Sequence, residues 1–130
     1  MSSTSNRWIL CGASIVQRSI PAEADGSQRK DEVDYWLTEH LRMSGIYWGI
    51  TPLYLLNQPD ALPRSGLLDF VFSCLHDNGG FGAAPGHDPH MLYTVSAVQI
   101  LATLDAFDEL EQRIPEGKHR IGRCLSLIHI

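Results

Sequence analysis

A chain of 130 residues holds one domain at most, and its 10 basic against 15 acidic residues give a formal charge of −5. That balance, with no run of basic residues interleaved with aromatics, excludes a nucleic-acid surface. No segment reaches the roughly 18 uninterrupted apolar residues of a membrane span, and the start, MSSTSNRWILCGASIV, lacks the apolar core and cleavage site of a signal peptide.

Residues 1–26 carry little pattern, because Gly12, Pro21 and Gly26 interrupt every apolar run. GSQRKD (26–31) reads as a solvated connector. A first amphipathic helix is predicted over 31–42, where Val33, Trp36, Leu37 and Leu41 form a stripe, with Asp31 and Glu32 in its first turn and His40 and Arg42 in its last. MSGIYWGITPLYLL (43–56) follows as a helix without Asp, Glu, Lys or Arg, with Ser44 as its cap and Pro52 as a kink or restart. NQPDALPRSG (57–66) is a loop. Leu67, Leu68, Val71, Phe72 and Leu75 define a third helix, ended by His76–Gly80.

Gly79 to Leu104 is the most informative stretch: a glycine-rich turn, then a second charge-free helix over 89–104. Asp88 is the predicted cap and Pro89 the first helical residue. A helix apolar over most of its circumference must be covered on nearly every side, beyond what this chain obviously supplies. Phe107, Leu110 and Ile114 start a fifth helix, stopped by Pro115 and Gly117. The charge-free helices start 46 residues apart (43 to 89), within the range of helix-pair arrays. Two pairs are too few to close a toroid or cap a solenoid, so the chain reads as the first part of a larger all-α domain.

The candidate motifs carry modest chemistry. NGGFGAAPG (78–86) lacks the Lys-Ser/Thr ending and preceding strand of a phosphate loop and reads as a tight helix connection. His87-Asp88-Pro89-His90 straddles a helix start without a second cluster to complete a metal shell, so it reads as structural. Cys11, Cys74 and Cys124 are odd in number and far apart, which points to free thiols in a reducing, by default cytoplasmic, compartment. Cys74, beside the stripe of the third helix, reads as buried and inert. Tyr47, Trp48, Tyr54 and Tyr93, with small residues at Ser44, Gly45, Gly49, Ser96 and Ala97, suit either a core or a pocket for an apolar ligand.

DYWLTEHLRMSGIYWGITPLYLL (34–56) and SCLHDNGGFGAAPGHDPHMLYTVSAVQILATLDAF (73–107) resemble the first repeats of the protein prenyltransferase β subunits. RMSGIYWG and GHDPHMLYTVSAVQIL resemble the type II, Rab geranylgeranyl branch in particular. The resemblance covers about residues 28–110 and implies an α–α toroid of helix pairs around an apolar funnel, here incomplete. In that family the position of Ser44 is small in the type II geranylgeranyl enzymes and a bulky aromatic in the farnesyl enzymes. The position of Val95 is aliphatic against aromatic. Tyr47 and Trp48 match aromatics near the same funnel. The resemblance thus implies an isoprenoid pocket at Ser44, Tyr47, Trp48 and Val95, with depth for a fourth isoprene unit worth a few kcal/mol at ~25 cal/mol per Å².

The activity implied is zinc-assisted alkylation of a C-terminal Rab cysteine by geranylgeranyl diphosphate, by a heterodimer with an α subunit and with the Rab escort protein. The family's zinc ligands and diphosphate clamp belong to later repeats, so no residue here is assigned as metal ligand or catalytic group, and the chain alone is expected to be inactive. Residues 28–114 are then the first prenyltransferase repeats. Residues 1–27 are an atypical segment, from an alternative or mispredicted gene start. Residues 115–130 are a non-family tail, whose LSLIHI end resembles translated adapter or non-coding DNA. The competing reading is a small helical-repeat scaffold without catalysis; a terpene-cyclase relative lacks its acidic motif here.

Overall fold

The computed structural model describes residue 37 and residues 39–128. The predicted helix over 31–42 therefore lies outside the described residues except at its end, as do Cys11 and residues 1–27. Five α-helices follow: α1 Arg42–Leu55, α2 Arg64–Ser73, α3 Met91–Thr103, α4 Phe107–Arg113 and α5 Gly117–Ile128, with 3-10 turns at Glu39–Leu41 and Pro59–Ala61. No strand occurs among the described residues; Leu75 and Phe81 form an isolated antiparallel bridge.

Helices α1 and α3, without charge apart from Arg42 at the start of α1, pack directly side by side and carry the core. Met43, Ile46, Ile50 and Leu53 of α1 recur at helical spacing and are buried against Ala97, Ile100 and Leu101 of α3 and Leu67, Leu68 and Val71 of α2, in one apolar cluster. Each of these side chains except Ala97 contributes about 1.5–3 kcal/mol. Pro52 neither kinks α1 into two nor restarts it; the helix runs through. The amide proton that proline lacks is lost near the helix end, where Leu56 N–H bonds Pro52 O and Gln58 N–H bonds Leu53 O. Asn57 takes a left-handed φ of 54° there, the usual conformation after a helix end.

Two predicted caps are corrected. Ser44 does not cap α1; it lies inside the first turn, and Leu41 is the cap residue. The glycine-rich loop substitutes for a capping side chain, because the orphan N–H of Met43 bonds Ala83 O at 3.1 Å. Asp88 does not cap α3. The helix starts two residues later, at Met91, because the connection is held by Phe81, whose carbonyl accepts from His90 N–H. His90 is the cap, extended at φ −140° and ψ 149°, and its Nδ1 accepts from Leu92 N–H at 3.2 Å.

The connection 74–90 is a folded plug. Phe81 is fully buried. Its N–H bonds Thr94 Oγ1 at 3.0 Å, and its carbonyl accepts from His90 N–H at 3.1 Å. Thr94 Oγ1 donates in turn to His90 O at 2.9 Å. His76 Nε2 lies 2.7 Å from His87 O and so carries its proton on that nitrogen. Outside this plug, Arg64 ties α2 to the end of α3 and to α4, bonding Leu104 O at 2.9 Å and Glu109 at 2.7 Å. That hydrogen bond from Arg64 holds the Glu109 carboxyl below the usual carboxylate range, against a smaller opposing effect of desolvation. Arg113 pairs with Asp69 and lies over the Phe72 ring. Residues 117–128 form α5, docked through buried Ile121 and through Arg120, whose guanidinium bonds Asp77 O at 2.8 Å.

Candidate functional site

The side of α1 and α3 turned away from the core is exposed among the described residues, and neither 43–55 nor 91–103 contains Asp, Glu, Lys or Arg. On α1 and its cap it presents Leu41, Trp48 and Leu55, with exposures of 49%, 68% and 81%. Their spacing of seven keeps them on one stripe. On α3 it presents Met91, Leu92 and Val95, all exposed. Several large exposed apolar side chains on two neighbouring helices mark a binding face or a surface awaiting a partner element.

Ser44 lies half-buried in the seam between the helices, with its Oγ 3.5 Å from Ser96 Oγ. Trp48 lies one turn further along α1 and Val95 precedes Ser96 on α3, both exposed. Tyr47 is half-buried against the core, and its ring meets that of Trp48 at 5.4 Å and 59°, a tilted contact that orients the indole. The structure thus brings Ser44, Tyr47 and Trp48 together on α1 and sets Val95 on the facing helix. Ser96 is only 5% exposed, and the chain pattern marked it merely as a small residue. Its pairing with Ser44 spans 52 residues and has no local signature.

Other chemistry-bearing groups do not converge here. Among the described residues, no group of three or more His, Cys, Asp or Glu side chains could hold a metal ion. His87 and His90 serve the plug: His87 Nε2 is 3.4 Å from Glu39, and His90 caps α3. Cys74 is a buried free thiol pushed up to about 12 by desolvation, which leaves it protonated and unreactive at neutral pH. Among the described residues, no helix is long and apolar enough to cross a membrane.

Residues 25–118 match the prenyltransferase α–α toroid domain. The chain is 48% identical over 101 residues to the geranylgeranyl transferase type-2 subunit beta of Saccharomyces cerevisiae, covering 77% of this chain and 29% of that protein. It is 50% identical over 78 residues to the probable geranylgeranyl transferase type-2 subunit beta of Dictyostelium discoideum, covering 60% and 23%. Identity to the protein farnesyltransferase subunit beta of Arabidopsis thaliana is lower, 33% over 91 residues, covering 59% and 19%. The chain therefore spans less than a third of the length of these relatives.

Proposed function

The chain belongs to the prenyltransferase α–α toroid family, and from that premise we propose that it is the donor-binding N-terminal part of the β subunit of a type-2, Rab geranylgeranyltransferase. The observation that carries this reading is the exposed face of α1 and α3 among the described residues, apolar and without charge, with a small residue, Ser44, and an aliphatic one, Val95, where a long hydrocarbon chain would lie. Such a face suits an isoprenoid, which offers apolar area and no hydrogen bonds. At ~0.8 kcal/mol per buried CH₂, a fourth isoprene unit adds a few kcal/mol if the site has depth for it.

In the complete enzyme a C-terminal cysteine thiolate of a Rab protein, presented by the escort protein, attacks C1 of geranylgeranyl diphosphate. The C1–S bond forms, the C1–O bond breaks and diphosphate leaves. The part of this chain is to hold and orient the hydrocarbon tail and exclude water from it. A zinc ion would favour the thiolate, but the described residues offer it no ligand set. An α subunit and a cytoplasmic setting complete the proposal.

The test is a change of donor length. In the full-length β subunit paired with its α subunit, Ser44→Trp combined with Val95→Tyr fills the end of the site with aromatic rings. The ratio of transfer from the fifteen-carbon donor to that from the twenty-carbon donor should rise by about tenfold or more, the loss of one isoprene unit's burial being worth over ~1.4 kcal/mol. An unchanged ratio would sink the assignment.

A further inference from the structure

We propose that Ser96 is a positioning residue that sets donor-length specificity through Ser44, an inference that rests on the function proposed above. Three observations support it. Ser96 is a polar residue buried to 5% exposure in a helix otherwise free of charge, at the seam beside the apolar face. Its Oγ donates to Leu92 O one turn back, at 2.9 Å, so its single proton is committed. Its Oγ is also 3.5 Å from Ser44 Oγ, on the facing helix.

The direction of the hydrogen bonds follows. Because Ser96 gives its proton to Leu92 O, it can only accept from Ser44. At 3.5 Å the two hydroxyls are at the outer limit of a hydrogen bond, and the direction such a relay takes is from Ser44 O–H to Ser96 Oγ to the Leu92 carbonyl.

This relay resolves a conflict at the site. A hydroxyl covered by hydrocarbon loses its water, and unless the protein offers a partner the burial is costly. Ser44 is small enough to leave depth, but its hydroxyl would oppose the isoprenoid end that fills that depth. Ser96 takes up the proton inside the protein. The surface of Ser44 left to the ligand is then its Cβ and an oxygen already engaged. Ser96 needs no contact with the donor; it makes a hydroxyl at 44 compatible with an apolar occupant. The effect falls only on a donor long enough to cover Ser44.

The experiment uses the full-length β subunit paired with its α subunit and measures Kd for geranylgeranyl and farnesyl diphosphate. Ser96→Ala should weaken the twenty-carbon donor by about fivefold and leave the fifteen-carbon donor unchanged. Ser44→Ala combined with Ser96→Ala should restore twenty-carbon affinity, because no orphaned hydroxyl remains; that non-additivity is the signature of the relay. Equal losses for both donors, no loss, or failure of the double variant to restore binding would overturn the inference. Thermal midpoints within a degree or two of the unaltered complex would show that folding is intact; a large drop with equal losses assigns Ser96 a packing role only. If the unaltered complex shows no preference for the longer donor, the proposed function itself falls, and this inference with it.

Discussion

Replacing Phe81 with alanine should destabilise the chain by about 3–5 kcal/mol, read as a lower urea midpoint with an unchanged slope. Among the described residues Phe81 is the largest fully buried side chain, and it belongs to no helix. It sits in the connection between α2 and α3, inside the same apolar cluster as Met43, Ile46 and Val71. Truncation removes transfer energy and leaves a cavity. Refilling is resisted because the backbone on either side is pinned: Phe81 N–H by Thr94 Oγ1, its carbonyl by His90 N–H, and Gly82 N–H by Cys74 O. The same plug supplies Ala83 O to the first turn of α1. A relaxed plug therefore loosens both helix starts bordering the candidate site. A loss below about 1 kcal/mol would show that the cavity collapses freely and that the plug is not a fixed part of the core.

Gly79→Ala should undock α5 without unfolding the rest. Gly79 has a φ of +87°, which side chains with a Cβ rarely adopt. A Cβ there would also stand 2.1 Å from the carbonyl oxygen of Arg120 and 2.9 Å from Ile121 N. Both are backbone atoms, so no rotamer change relieves the clash; either the turn or the helix must move. The turn is held by Gly79 N–H to His76 O and by Gly80 N–H to Asn78 Oδ1. The docking of α5 rests on buried Ile121 and on exposed or half-exposed polar contacts such as Arg120 with Asp77. The weaker side should yield. Hydrogen exchange should show lost protection across 117–128 and retained protection in α1 and α3. Uniform loss of protection would instead make the turn and the core one cooperative unit.

Much of this architecture can be read in the chain, and the failures have a common cause. The two helices without charge are unmistakable, because more than a dozen residues without Asp, Glu, Lys or Arg cannot be a solvated surface helix. Their pairing follows from the same fact, since each needs an apolar neighbour. The stop before Pro115 is local chemistry and is present, whereas Gly117, read as part of that stop, opens α5. What was misplaced depends on contacts between distant residues. Asp88 is the better cap by residue type, but the path of the plug, fixed by Phe81 on Thr94, presents His90 to the first free amides instead. Ser44 has the composition of a cap, but Ala83 O already serves that helix start, and the hydroxyl turns to Ser96. The third helix begins at Arg64 rather than Leu67, because the loop ends in an extended Pro63 that suits a helix entry. Of the pocket residues named from the chain, Trp48 and Val95 are exposed, Ser44 is half-buried and Tyr47 packs against the core, and the contact of Ser44 with Ser96 lies beyond reach of any local pattern.

The central claim is that the exposed face of α1 and α3 is where an isoprenoid donor lies. The most direct measurement is photoaffinity labelling of the full-length β subunit, paired with its α subunit, using a geranylgeranyl diphosphate analogue with the photoreactive group at the hydrocarbon end. The account predicts labelled peptides from residues 41–55 and 91–103, centred near Ser44, Trp48 and Val95 and suppressed by excess unlabelled donor. Competed labelling confined to other segments of the subunit would contradict it.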